Sequence, residues 1–86
     1  MENQIRLLGV LIKHRQEAAT KVQETLTRFG CSIKTRLGLH EATTDKCAPH
    51  GLIILELTGS LDEMNKMEKE LNAIESVSAK NITFDL

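Results

Sequence analysis

Apolar and polar positions alternate in blocks along the chain, and the sharpest block is Gly51-Leu52-Ile53-Ile54-Leu55-Glu56-Leu57-Thr58. It is apolar at nearly every position, rich in leucine and isoleucine, and bounded by Gly51 and Gly59. A run this short between turn residues reads as a strand buried on both faces. Ile5–Ile12 is a second strand of the same kind, with Ile5, Leu7 and Leu11 at one parity and Leu8, Val10 and Ile12 at the other. A strand in a one-sided sheet alternates apolar with polar, so both of these require cover on two faces.

Between and after them the period changes. Gln16–Phe29 carries Ala19, Val22, Leu26 and Phe29 at helical steps, with Glu17, Lys21, Glu24 and Arg28 off the stripe. Gly30 follows as the expected helix C-terminal residue. Cys31–Leu37 then alternates: Cys31, Ile33, Thr35 and Leu37 face one way, and Ser32, Lys34 and Arg36 the other. That is a half-exposed strand whose basic residues suit a sheet edge. Residues 38–50 are polar and aperiodic, a long connection. Ser60-Leu61-Asp62-Glu63 matches a capping box, and Met64, Met67, Leu71 and Ile74 make the stripe of a second helix. Val77–Phe84 reads as the last strand, and its apolar phase slips between Val77/Ala79 and Ile82/Phe84. That slip predicts a bulge near Lys80-Asn81.

The order strand–helix–strand–strand–helix–strand predicts an α+β, ferredoxin-like βαββαβ sandwich: a four-stranded antiparallel sheet with two helices on one face. The most apolar strands, the first and third, then lie in its centre. The opposite sheet face is left open, with Leu8, Val10 and Ile12, or their opposite-parity neighbours, pointing into it. A bare apolar face is an aggregation liability on a monomer, which predicts a homo-oligomer, dimer or tetramer.

Eighty-six residues make one domain, 1–86, with a thin core. The two aromatics, Phe29 and Phe84, offer no stacking platform for single-stranded nucleic acid, and a net charge of -1 gives no general attraction to phosphate backbones or anionic membranes. Cys31 and Cys47 are too few for a disulfide scaffold and read as reduced thiols. No stretch has the length of a membrane span or the flanks of a signal peptide, so a cytoplasmic location is expected.

Chemistry-bearing residues concentrate in the 38–50 connection. Cys47-Ala48-Pro49-His50 brings a thiol near an imidazole, with His40, Glu41 and Asp45 close in sequence. Sulfur with imidazole suits zinc, nickel or copper, but there is no matching second pair, and Pro49 restricts convergence. A metal site would have to be shared between subunits, and no metal ligand is assigned. A Cys47/His50 nucleophile pair lacks an orienting third group. Cys31 reads as a small buried hydrophobe and His14 as a residue satisfying backbone donors in its turn. Lys34 and Arg36 are a charged strand edge or an anion site. No catalytic constellation stands out, so no catalytic residue is assigned and the cofactor stays unidentified.

Taken whole, the chain resembles the iron-only hydrogenase system regulator family. The likeness is carried by Leu7–Ile12 with its following helix, Thr35-Arg36-Leu37-Gly38, Gly51–Leu57 and Ile74-Glu75-Ser76-Val77. That family is similar to amino-acid-sensing ACT modules and to the C-terminal domain of the nickel-responsive repressor. The resemblance implies a non-enzymatic regulatory domain that oligomerises and binds a small-molecule effector at subunit interfaces, or answers to a protein partner. Lys13-His14-Arg15-Gln16 lacks the Gly- or Asn-rich turn of ACT modules, and His40, Cys47 and His50 do not reproduce the repressor's metal-ligand spacing. No DNA-reading extension is recognisable. The alternatives are a metal-binding protein using residues 38–50 and a small enzyme acting between subunits.

Overall fold

A computed structural model describes residues 3–39 and 50–86 of the chain. They form β1 (Gln4–Ile12), α1 (Arg15–Arg28), a 3-10 turn (Gly30–Ser32), β2 (Ile33–Leu39), β3 (Gly51–Leu57), α2 (Leu61–Asn72) and β4 (Val77–Asp85). The strands make one antiparallel sheet in the order β2-β3-β1-β4, so the two most apolar strands are central. With both helices on one face, this is the ferredoxin-like βαββαβ arrangement that the hydrophobic pattern predicts.

Register sorts the side chains between the two faces. Leu8 lies opposite Leu55, and Val10 opposite Ile53 and Ala79. These residues pack beneath the helices with Val22 and Leu26 of α1 and Met67 and Leu71 of α2, all of them buried. The opposite-parity set, Ile5, Leu7 and Leu11, therefore points into the open face. There Leu7 stands opposite Ile82, Ile5 opposite Phe84, and Leu11 opposite Leu52.

α1 buries Ala18, Val22, Thr25 and Leu26, so the stripe begins at Ala18 and not at Ala19, which is only half-buried. The Thr25 hydroxyl donates to the Lys21 carbonyl at 3.0 Å, which lets a polar residue sit in that stripe. Gly30 does not end the helix in a left-handed conformation. The chain runs on into the 3-10 turn, closed by Ser32 N–H donating to the Phe29 carbonyl at 2.8 Å. α2 begins as its sequence dictates: Ser60 Oγ accepts from Glu63 N–H at 3.2 Å, and Asp62 and Glu63 sit at the positive end of the helix. Arg28 joins the helices by donating to Glu70 at 2.6 Å, a contact that raises the pKa of its guanidinium.

The one irregularity predicted falls elsewhere. β4 pairs with β1 from Val77 to Asp85 without a register shift, so there is no bulge at Lys80-Asn81. Instead Val77 and Ala79 face the helices, while Ile82 and Phe84 face the open side, 55% and 53% exposed. The apolar phase slips because the strand serves two faces in turn. The bulge lies in β2, between Ile33 and Thr35. It moves Ile33 to the core side and Leu37 to the open side, where Leu37 stands opposite Ile54 and is 54% exposed.

The α2–β4 connection is tight. Ser76 adopts φ 69°, its carbonyl accepts from Lys13 N–H at 2.7 Å, and its buried Oγ has no hydrogen-bond partner among the described residues. From the end of α2, Asn72 reaches across to β4: Nδ2 donates to the Ala79 carbonyl at 3.0 Å and Oδ1 accepts from Ala79 N–H at 2.7 Å.

Candidate functional site

The motif residues of the 38–50 connection are only partly within view. His40, Glu41, Asp45 and Cys47 lie outside the described residues. His50 is exposed immediately before β3. Among the described residues no group of three or more His, Cys, Asp or Glu side chains is placed to hold a metal ion.

The other candidates separate. Cys31 is an exposed free thiol in the 3-10 turn and not a buried hydrophobe, because the turn lifts it out of the β2 alternation. His14 occupies the N-cap of α1 but its side chain makes no cap hydrogen bond; its carbonyl accepts from Glu17 and Ala18 N–H, both at 3.1 Å. Lys34 and Arg36 do not act as one patch, since the β2 bulge parts them. Lys34 Nζ lies 3.8 Å from Glu56 at the sheet's open side. Arg36 turns toward α1, where its guanidinium donates to Gln23 Oε1 at 2.8 Å.

Arg36 and Arg15 line the same groove there. A groove of about 240 Å³ runs between α1 and the β2–β3 side of the sheet, lined by Arg15, Ala19, Gln23, Arg36, Gly38 and Gly51 over a floor of Ile12 and Ile53. Its position follows from local sequence. Arg15 opens α1 two residues after Lys13 ends the strand run, and its stem lies across Gly51. A Cβ at residue 51 would come within 3.3 Å of Arg15 Cδ, so glycine lets this side chain lie flat on the head of β3. Ala19, displaced from the core stripe, supplies the groove's small wall.

Among the described residues no acidic side chain lines this groove, and neither arginine has an ion-pair partner. Two guanidiniums over an apolar floor, with a glutamine amide between them, suit a carboxylate or phosphate carried on a small organic body. Sequence spacing gave no hint of the pair, since Arg15 and Arg36 are 21 residues apart and come to one groove only when α1 lies beside β2. The one legible signal was Gly51 at the head of an otherwise apolar strand.

Two further cavities, of about 500 and 570 Å³, flank Arg6 under α2. Arg6 Nη2 donates to Asn65 Oδ1 at 3.3 Å, while its buried Nε has no partner among the described residues. Both cavities also contain a carboxylate already engaged by an amide: Asp85 by Gln4 at 2.8 Å, and Glu68 by Asn81 at 3.0 Å. They are less suited to an anion than the arginine groove.

A family model described as "Iron-only hydrogenase system regulator, putative", TM1266-like, matches residues 4–81. No curated protein matches the chain. Among solved structures, the uncharacterized protein TM1266 from Thermotoga maritima is similar at a TM-score of 0.79 and 22% identity, over 95% of this chain and 99% of that one. CPII, a nitrogen regulatory PII-like protein from Thiomonas intermedia bound to ADP, AMP and bicarbonate, is similar at a TM-score of 0.56 and 12% identity, over 96% and 94% of the two chains. A dimeric ferredoxin-like protein from an uncultured marine organism is similar at a TM-score of 0.55 and 6% identity, over 99% and 96%. At these identities the structural likenesses establish the fold. No helix among the described residues is long and apolar enough to cross a membrane.

Proposed function

Because the chain belongs to the TM1266-like family of iron-only hydrogenase system regulators, we propose that it is a cytoplasmic, non-enzymatic, homo-oligomeric regulatory domain that senses a small anionic effector. The domain spans residues 1–86, and the effector occupies the groove between α1 and the β2–β3 side of the sheet. The observation that carries this reading is that Arg15 and Arg36 line one groove over an apolar floor, with no acidic side chain in the lining among the described residues. A guanidinium pair of this kind binds carboxylate or phosphate through charge-assisted hydrogen bonds. Support comes from CPII, whose ADP, AMP and bicarbonate are all anions.

The oligomeric part of the reading rests on the open sheet face. Leu37, Ile82 and Phe84 are more than half exposed there, beside Leu7, Leu11, Leu52 and Ile54. Apolar surface spread across a whole sheet marks an interaction site.

The test is a thermal-shift panel of inorganic phosphate, bicarbonate, AMP and ADP on the wild type, Arg36→Ala and Arg15→Gln. A ligand at about 100 times its Kd stabilises the folded state by roughly 2.7 kcal/mol. Stabilisation by at least one anion in the wild type, lost in both variants, is the expected result. An unmoved melting temperature across the panel, or a shift that survives both substitutions, sinks the groove as an effector site.

A further inference from the structure

The two edges of the sheet are built differently. β2, at one edge, carries a bulge and the basic residues Lys34 and Arg36, the devices by which proteins keep an edge from pairing. β4, at the other edge, has neither in its second half, Asn81-Ile82-Thr83-Phe84-Asp85.

Which backbone groups that edge offers follows from the hydrogen bonds already made. Ala79 gives both N–H and C=O to Asn72, so both point away from β1. In an antiparallel pair this alternates by residue, so Asn81, Thr83 and Asp85 also point their N–H and C=O outward. Two bonds on the β1 side agree with this parity: Leu86 N–H donates to the Asn3 carbonyl at 2.8 Å and the Ser76 carbonyl accepts from Lys13 N–H at 2.7 Å. Among the described residues nothing bonds the outward groups of Asn81, Thr83 and Asp85. Asn72 blocks the edge at Ala79 and leaves it open beyond.

We infer that this open segment of β4 is the seam of a homodimer, pairing antiparallel with the same segment of a second copy about a two-fold axis at Thr83. The inference rests on the homo-oligomeric reading above and adds a second contact surface, the β4 edge, beside the open sheet face on which that reading was argued. One symmetric register suffices. Thr83 pairs with Thr83 of the second copy, and Asn81 with Asp85 of the second copy and the reverse, so every outward group from Asn81 to Asp85 finds a partner. The side chains agree with it. Ile82 comes opposite Phe84 of the second copy on the open face, a β-branched–aromatic pair that favours sheet pairing, and no like charges meet. The two sheets become one of eight strands, and Ile82 and Phe84 gain each other as cross-seam neighbours on the open face.

Two experiments test this, both read by sedimentation or light scattering alongside circular dichroism. Proline is tolerated on a strand edge where the N–H faces solvent, so Thr83→Pro leaves a monomer folded but removes an outward donor from each copy. The expected result is a dissociation constant raised about 30-fold or more, for two lost backbone hydrogen bonds. In a Cys31→Ser, Cys47→Ser background, Ile82→Cys and Phe84→Cys chains are then oxidised separately and as a mixture. Opposed residues at a non-hydrogen-bonded antiparallel position have Cα atoms about 4.5 Å apart, within disulfide range. The mixture is expected to form a disulfide-linked dimer that neither chain forms alone. A wild type that is monomeric at all concentrations overturns the oligomeric reading and the seam with it. An oligomer that survives Thr83→Pro and shows no mixture-specific cross-link overturns the seam alone, and leaves packing through the open sheet face.

Discussion

Ser76 carries two separable penalties, and replacing it with glycine tests both. Its φ of 69° lies in the left-handed region, where an L side chain costs roughly 1–2 kcal/mol. Its Oγ is buried without a partner among the described residues, and an unsatisfied buried hydroxyl costs about 1–3 kcal/mol. Against these, glycine at 76 loses about 0.5–1 kcal/mol more backbone entropy on folding. The residue as a whole is only half-buried, so the low end of the hydroxyl range applies. Ser76→Gly should therefore stabilise the chain by about 1–2 kcal/mol, which for a domain this size raises Tm by roughly 5–12 °C. Ser76→Ala separates the terms, since it removes the hydroxyl and keeps the strained φ; it should recover about half the gain. The assay is calorimetry or chemical denaturation at one fixed protein concentration, because oligomerisation makes Tm concentration-dependent. An unchanged or lowered Tm for Ser76→Gly would mean that the Ser76 hydroxyl has a partner or that φ is not strained, and would refute the argument.

Other perturbations have equally definite expectations. Leu55 is fully buried in the centre of β3, so Leu55→Ala should destabilise by about 2–5 kcal/mol in urea denaturation. Asn72→Ala removes both bonds to Ala79; about 1–2 kcal/mol should be lost and exchange of the Ala79 amide should quicken. Because Arg28 and Glu70 are both well exposed, Glu70→Gln should move Tm by no more than about 2 °C, and less at high salt. Cys31 is exposed, so in a Cys47→Ser background one thiol should react with a maleimide without denaturant, at the same rate as in urea.

By itself the sequence determined the elements and their order. Local chemistry sufficed for that. A period of two or of 3.6, a Ser60–Glu63 cap and glycines around β3 act over a few residues. The unalternating β1 and β3 also placed themselves in the sheet's centre, since strands apolar at both parities need partners and cover.

What only the tertiary structure decided is which side each residue faces and which distant residues meet. A strand apolar at both parities reads the same with its faces exchanged, so nothing in β1 tells Leu8 from Leu7. The phase slip in β4 is as consistent with a bulge as with a strand that serves two faces, and only an unbroken register with β1 settles it. The real bulge, at Lys34, falls in a segment that alternates perfectly in sequence. It arises from pairing with β3, which no local pattern encodes. The same bulge turns Arg36 away from Lys34 and toward α1, where Arg15 waits over Gly51. The groove and the unguarded β4 edge are products of packing between elements remote in sequence, and only the folded chain brings their residues together.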